Sequence, residues 1–286
     1  MLVVAFEGWN DAGEAASGVI RTLKDELNVY PIAEVDPEDY FDYQFNRPTV
    51  AVDEEGARQI VWPSVTAYGP TEPNSGSGPS VYLLVGTEPS RGWKTFTAEV
   101  LEVIDDAEIG AIVFLGAMLA DVPHTRPISV FTSSENADVR EVLGIERSSY
   151  EGPVGILSVL SDAAEKASIP TVSIWASVPH YVHNAPSPKA TLAIIEKLEE
   201  LIGIVIPRGD LIAESAAWEN GIDVLAGDDD EMAAYIEQLE QARDTVDSPE
   251  ASGDAIAEEF ERYLQRRDGK DGRGSAGDDP WRPPAQ

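Results

Sequence analysis

The chain has 286 residues, no cysteine and a net charge of −32 from 52 acidic and 20 basic side chains. This length allows one large domain with an appendage, and the lack of cysteine excludes disulfides, thiolate nucleophiles and Cys-based metal sites. A surface this acidic disfavours nucleic-acid binding, and no apolar run approaches the roughly 20 residues of a membrane span, so we expect a cytoplasmic protein without nucleic-acid or membrane contacts.

The first predicted unit is a strand, a loop and a helix. Residues 2–6 form the apolar run LVVAF, the loop GWNDAG follows, and apolar residues recur at helical spacing over residues 19–27. Asp11 or Asn10 could cap this helix, and Glu14, three residues after Asp11, would complete a capping box.

The next segments predict further strands. One is expected at residues 30–35, before the acidic and aromatic stretch DPEDYFDYQFNRP. A β-hairpin is expected from strands at 49–52 and 59–68 around the turn DEEGA. Another apolar strand, VYLLV at 81–85, leads into an amphipathic helix that starts near residue 93.

The most apolar strand is predicted at residues 111–115, AIVFL. This pattern is typical of a strand covered on both faces, although a short buried helix has the same pattern. A strand at 127–132 and a helix from about Pro153 follow, because proline suits the first helical turn. A strand at 171–176 then precedes a helix capped by Ser187.

The alternation of strands and helices predicts an α/β fold over residues 1–206. We expect a three-layer α/β/α sandwich with a mainly parallel sheet and an inserted β-hairpin. Residues 207–267 contain the helical patterns MAAYIEQLEQARD and AIAEEFERYLQRR, joined by DSPEASGD, and predict a helical hairpin. Residues 268–286 have almost nothing to bury and predict a disordered tail.

Charged and aromatic side chains follow four of the predicted strands, and in a parallel sheet these loops meet at one edge. Asp121 could orient His124 as a general base, and Arg91 and Arg126 could clamp a carboxylate or phosphate. The alternative is a buried ion network that only holds the loops. The candidate binding pocket is Trp9, Asn10, Asp11, Glu88, Arg91, Trp93, Asp121, His124, Arg126 and His180.

Within this pocket, Trp9 either plugs the top of the sheet or stacks on a ligand or partner. His180 and His183 are three residues apart, which is a weak pattern for a metal, so we expect no metal. The sequence shows neither a glycine-rich phosphate loop with a partnering lysine nor a serine on a G-x-S-x-G elbow. We therefore expect no cofactor, and the catalytic residues are unknown.

The motifs GWNDAG, GTEPSRGW, GAMLADVPHTRP, YEGPVGI and PHYV…PSPK together resemble the proteasome assembly chaperone 2 family in its actinobacterial branch, over about residues 1–203. The resemblance implies an α/β/α sandwich similar to nucleoside phosphorylases and hydrolases. Family relatives help to assemble the proteasome α-ring, some through a C-terminal hydrophobic–Tyr–X tail. This sequence ends in Pro284, Ala285 and Gln286, so that docking mode is not implied here.

We therefore expect a non-catalytic assembly chaperone or protein-interaction protein, with proteasome subunits or another protein complex as its partner. The phosphorylase-like fold favours a homo-oligomer, and a trimer in particular. The alternative is a small-molecule-binding enzyme or sensor of the nucleoside hydrolase or phosphorylase type, which would use the loops at the carboxyl edge of the strands.

Overall fold

The computed structural model describes residues 1–53, 55–71 and 80–246. The predicted helix AIAEEFERYLQRR and the predicted disordered tail at 268–286 lie outside these residues. The strands are β1 Leu2–Glu7, β2 Val29–Glu34, β3 Thr49–Val52, β4 Arg58–Val61, β5 Val65–Pro70, β6 Tyr82–Thr87, β7 Ile112–Ala120, β8 Val130–Ser133 and β9 Thr171–Pro179. The helices are α1 Ala15–Glu26, α2 Pro37–Tyr40, α3 Trp93–Asp106, α4 Ala137–Leu143, α5 Ile156–Lys166, α6 Pro188–Ile202, α7 Leu211–Gly227 and α8 Asp230–Val246.

The main sheet has the strand order β2-β5-β6-β1-β7-β9-β8. Its centre, from β6 through β1 and β7 to β9, is parallel. β5 and β8 run antiparallel to their inner neighbours. The sheet is therefore mixed and mostly parallel, as predicted.

Helices cover both faces of the sheet. Side chains of α1 and α6 pack on one face together with Val113 and Leu115 of β7. Side chains of α3 and α5 pack on the other face, against Ile112 and Phe114 of the same strand. Successive side chains of a strand point to opposite faces, so a strand buried on both faces has a continuous apolar run. The predicted three-layer α/β/α sandwich is confirmed.

The predicted hairpin differs from the one observed. The expected strand at 59–68 is two strands, because β4 ends at Val61 and β5 begins at Val65 after Pro63, which cannot donate a backbone hydrogen bond. β5 joins the main sheet between β2 and β6, whereas β3 and β4 pair with each other in a separate two-stranded sheet. Gly86 permits this junction, since a Cβ there would lie 2.0 Å from the Ser64 carbonyl oxygen.

Two other predictions were wrong in detail. β8 starts at Val130 rather than at residue 127. α5 starts at Ile156 rather than near Pro153. Beyond residue 206 the structure pairs α8 with α7, a helix that was not predicted, and the expected pairing of α8 with a later segment lies outside the described residues. α7 has apolar residues around much of its circumference, so it lacks the stripe by which helices are recognised. The division at residue 206 stays a prediction.

Candidate functional site

The loops that carry the candidate residues leave one edge of the sheet. β6, β1, β7 and β9 are parallel neighbours, so their carboxyl ends lie on the same side. β1 and β6 bring Asn10 close to Glu88, and β7 and β9 bring Asp121 close to His180. Helices around this edge then add contacts that the sequence did not reveal.

Asn10, Glu88 and the start of α5 form a tight structural joint. The Glu88 Oε1 atom accepts hydrogen bonds from Asn10 Nδ2 at 3.2 Å and from the Ile156 backbone N–H at 2.8 Å. A side chain at Gly155 would not fit, because its Cβ would lie 2.1 Å from Asn10 Nδ2. Glu88 thus caps α5 from a distant loop, which explains why this helix begins at Ile156. Burial raises the pKa of Glu88.

Asp11 holds the start of α1. Its Oδ1 atom accepts hydrogen bonds from the backbone N–H groups of Ala16 at 2.8 Å and Ser17 at 3.1 Å. Burial raises the pKa of the Asp11 carboxyl group. The predicted capping box does not form, because Glu14 instead accepts a hydrogen bond from Arg21 at 2.9 Å.

A cavity of about 280 Å³ lies beside this joint and is lined by Glu7, Gly8, Asp11 and Glu14. Three of the four lining residues carry carboxyl groups, so the cavity is electrostatically unsuited to phosphate. Trp9, with 45% of its surface exposed, is not among the lining residues. Across the described ranges, no group of three or more His, Asp or Glu side chains is arranged to hold a metal ion.

Arg91 and Trp93 are bonded to backbone carbonyls near α2 and α3. The Arg91 guanidinium donates to the carbonyl oxygens of Glu38 at 2.6 Å and Asp39 at 3.3 Å. The Trp93 indole N–H donates to the Pro89 carbonyl at 2.5 Å. The Arg91 bonds attach the β6–α3 loop to the α2 segment, and the Trp93 bond closes that loop on itself, so the predicted anion clamp by Arg91 would have to compete with these bonds.

His124 is fully buried at the end of β7, and both of its ring nitrogens are bonded. The Tyr181 hydroxyl oxygen lies 2.7 Å from the His124 backbone nitrogen and 2.8 Å from Nδ1, while Nε2 lies 3.1 Å from Asp223 Oδ1. The hydroxyl accepts from the backbone N–H, so its own proton goes to Nδ1. We therefore assign the ring proton to Nε2, from which it is donated to Asp223. Burial raises the pKa of Tyr181 and keeps this donor protonated.

The predicted pairing of Asp121 with His124 does not form. The His124 ring is bonded instead to Tyr181 and to Asp223 of α7. Asp121 instead lies beside His180, with Oδ1 3.3 Å from His180 Nδ1. The Tyr235 hydroxyl of α8 donates to the same carboxylate oxygen at 3.4 Å. Tyr235 also packs edge-on against the His180 ring, with 5.6 Å between centroids.

Arg126 attaches the β7–β8 loop to the C-terminal part of α8. Its Nε and Nη2 atoms donate to the two carboxylate oxygens of Asp244 at 2.8 and 2.9 Å, and Nη1 donates to Glu240 at 3.3 Å. Thr125 donates to the same Glu240 carboxylate. The bidentate geometry lowers the pKa of Asp244.

Lys189, which the sequence did not single out, connects the same loop to α7. Its Nζ atom donates to the His124 carbonyl at 2.5 Å and to the Glu219 carboxylate at 2.8 Å. Together with the contacts of His124, Asp121 and Arg126, this places α7 and α8 over the β7 and β9 loops through mainly polar bonds.

The recorded contacts therefore sort the candidate residues into three sets. The first surrounds Glu88 and the starts of α1 and α5. The second is the β6–α3 loop, where Arg91 bonds to α2 and Trp93 bonds within the loop, and the third lies under α7 and α8. That these sets act together as one binding pocket stays a prediction.

Comparison with known proteins identifies the family. The model of the PAC2 family matches residues 5–226, which is more than half of the chain. The chain belongs to the PAC2 family. The matched region extends over nearly all of α7, so this helix lies within the part that PAC2 proteins share.

Two solved actinobacterial structures are similar to this PAC2 chain. A PAC2 family protein from Streptomyces avermitilis has 42% identity and a TM-score of 0.73, covering 82% of this chain and 98% of its own. A proteasome-assembly chaperone homologue from Mycobacterium tuberculosis has 41% identity and a TM-score of 0.73, covering 82% of this chain and 100% of its own. The resemblance stated from the sequence motifs is confirmed.

A more distant likeness extends to archaea. PbaB of Pyrococcus furiosus, an archaeal proteasome activator, has 13% identity and a TM-score of 0.62, covering 78% of this chain and 92% of its own, and shares the fold alone. A comparison with curated proteins gives no match. Of the helices described for this PAC2 chain, none has the length and apolar character needed to cross a bilayer.

Proposed function

We propose that this PAC2-family chain is a non-catalytic assembly chaperone that binds a basic protein surface through the outer face of α7 and α8. The partner we propose is a proteasome subunit, because the homologue from Mycobacterium tuberculosis is described as a proteasome-assembly chaperone homologue. A cytoplasmic location is part of the same proposal.

The observation that carries this proposal is the set of apolar side chains of α7 that the described residues leave exposed. Ile222 and Ala226 are buried on the inner side, whereas Val224 and Leu225 near the end of the helix are 67% and 64% exposed, and Ile212 at its start is 59% exposed. A helix that is apolar on opposite sides is usually covered on both. α7 therefore has the character of a helix between the domain and a second protein.

The charge around this face indicates the type of partner. Exposed acids follow α7 directly and continue into the first turn of α8, as Asp228, Asp229, Asp230 and Glu231. An apolar centre with an acidic rim complements a basic surface, and electrostatic steering would make the association rate fall as salt is added.

The contacts of the candidate catalytic groups also support a non-catalytic role. His124 is bonded to Asp223 of α7, Asp121 to Tyr235 of α8, and Arg126 to α8 as well. These side chains attach helices to the loop edge, which was the alternative considered for them. The alternative function, a small-molecule-binding enzyme or sensor, requires a ligand that displaces or avoids these bonds. A thermal-shift screen with nucleosides, nucleotides and phosphate tests it, because a ligand that binds only the folded state raises Tm.

Self-association is the last part of the proposal. We propose a homo-oligomer, with a trimer favoured by the likeness of the fold to phosphorylases. Light scattering at micromolar concentration measures the mass directly. A monomeric mass would contradict the proposed self-association but would not bear on the partner surface of α7 and α8.

The partner surface is tested with purified proteasome subunits on an affinity resin. Wild type should be captured, and Leu225→Asp should bind at least about 30-fold more weakly if Leu225 lies in the centre of the interface. Val142→Asp is the matched control, because Val142 of α4 is 81% exposed and is not part of the proposed surface. Equal capture of wild type and Leu225→Asp, or no capture of wild type, would contradict the proposal.

A further inference from the structure

The β3–β4 hairpin is an arm that the described part of the domain does not cover. Every residue of both strands is exposed, and the pair belongs to a sheet of its own. Val50 is 54%, Val52 65%, Ile60 61% and Trp62 45% exposed. An isolated two-stranded hairpin is at best marginally stable in water, so an arm of this kind normally packs against something.

Three of the exposed apolar side chains of the arm share one face. Val50 is paired with Ile60 across the hairpin, and Val52 lies two residues further along β3, opposite Arg58. Because side chains alternate between faces, these four point to the same side, whereas Ala51 and Val61 lie on the other. At the base of the arm, the Trp62 ring packs against the Tyr43 ring at 4.9 Å between centroids.

The two strands of the arm and their flanks carry only positive charge, although the chain as a whole is strongly acidic. Residues 47–52 and 57–62 contain Arg47 and Arg58 and no acidic residue, in a chain whose net charge is −32. The acidic residues of this segment are confined to the turn between the strands. Within the described residues no ion pair is recorded for either arginine, and both are exposed. An apolar face that includes Arg58 complements an apolar surface bordered by carboxylates.

A second copy of the chain offers such a surface at the outer edge of β2. β2 is the terminal strand of the main sheet, so no strand among residues 1–53, 55–71 and 80–246 pairs with its outer edge. Tyr30 and Ile32 on this strand are 49% and 38% exposed, and Glu26 and Glu34 beside them are exposed acids. Apolar strands left open at an edge promote association, which argues for a cover that is always present, as another copy of the same chain is.

We propose that the β3–β4 arm of one copy packs on the β2 edge of the next copy. This inference rests on the self-association proposed above and assigns its interface. The two surfaces differ, so the contact is head-to-tail and closes into a ring when the rotation between copies allows it. Arg47 and Arg58 of the arm would then lie near Glu26 and Glu34 of the neighbouring copy.

The test uses the full chain with one substitution on each surface. Ile60→Asp places a charge on the arm, Ile32→Asp places one on the β2 edge, and Val142→Asp is the control at an exposed position outside both surfaces. Each changes an exposed or largely exposed side chain, and a Tm within about 2 °C of wild type verifies the fold. Light scattering should give an oligomer for wild type and for Val142→Asp, and monomers for Ile60→Asp and Ile32→Asp.

Mixing the two monomeric variants gives the decisive result. The intact arm of Ile32→Asp should pack on the intact β2 edge of Ile60→Asp, so the mixture should form a two-chain complex and nothing larger. An Ile60→Asp protein with the wild-type mass, or a mixture that stays monomeric, would overturn the arm interface. A monomeric wild type would remove both this inference and the self-association proposal, whereas capture of a proteasome subunit through α7 would be unaffected.

Discussion

Replacing Tyr181 with Phe tests how the β7 loop is held beneath α7. The hydroxyl accepts a hydrogen bond from the His124 backbone N–H at 2.7 Å and donates to Nδ1 at 2.8 Å. The ring packs edge-on against His124, His180 and Tyr235, and a phenylalanine keeps those contacts. Tyr181→Phe therefore removes only the oxygen that bonds these two buried nitrogens.

The expected loss follows from the number of buried groups left without a partner. Each such group costs about 1–3 kcal/mol, so two of them predict a loss of about 2–4 kcal/mol after some relaxation. For a domain of this size each kcal/mol lowers Tm by about 2–4 °C, so Tyr181→Phe should lower Tm by at least about 4 °C.

The control for this change is Tyr68→Phe. The Tyr68 hydroxyl accepts a hydrogen bond from Lys24 Nζ at 3.0 Å at the surface, and the lysine also lies over the ring, 4.3 Å from its centroid. Water can replace the lost bond, so Tm should fall by less than about 2 °C. Differential scanning fluorimetry measures both variants. If Tyr181→Phe stays within 1–2 °C of wild type, about the size of the surface effect, His124 is not held as described.

Three further predictions concern the joints of the loop edge. Gly155→Ala should lower the free energy of unfolding by about 1–3 kcal/mol through overpacking. Gly110→Ala is the control and should be nearly neutral, because no atom lies within 4 Å of the added Cβ. Equal unfolding curves of the two variants in urea would contradict the close packing at Gly155. Burial raises the folded-state pKa of Glu88, so between its ordinary and raised pKa the folded state binds more protons, and the Glu88 contribution to stability falls as pH rises. Glu88→Gln should thus be at least as stable as wild type at pH 7, and its advantage should shrink towards pH 4 in Tm measurements; a constant difference would refute the sign. Asp244→Asn should loosen the C-terminal part of α8, because it breaks the bidentate pair with Arg126. Trypsin should then cleave this part faster than in wild type. Unchanged cleavage would mean that the pair does not hold the helix.

The sheet could be predicted because its signal is local. The apolar run at β7 is continuous since the strand is buried on both faces, and each parallel strand is followed by its own polar loop. Strand direction then determines that the loops share an edge, so the placement of Asn10 near Glu88 and of Asp121 near His180 follows from the order of the elements.

The contacts under α7 and α8 could not be predicted, because they join residues far apart in the chain. His124 and Asp223 are 99 positions apart, and Arg126 and Asp244 are 118 apart. Neither pair has a spacing pattern that the sequence could reveal. A histidine and an arginine in a loop therefore suggested catalysis or ligand binding, whereas their partners are side chains of α7 and α8. α7 itself was missed because its exposed Val224 and Leu225 interrupt the polar face that a surface helix normally has.

The hairpin shows a similar limit. Alternating apolar residues correctly indicated β3 and β4, but alternation does not reveal which sheet a strand joins. Pro63 separates β4 from β5, and only β5 pairs with the main sheet. The exposure of both faces of the arm is a tertiary property that the sequence pattern does not contain.

Calorimetric titration of a purified proteasome α-subunit into the chain tests the proposed chaperone surface most directly. Burial of the α7 face predicts saturable binding with a negative heat-capacity change, weakened by added salt and by Leu225→Asp but not by Val142→Asp. Binding that is equally strong for Leu225→Asp would contradict the proposed surface. The chaperone function would be contradicted if no heat of binding is seen at any salt concentration and a nucleoside raises Tm.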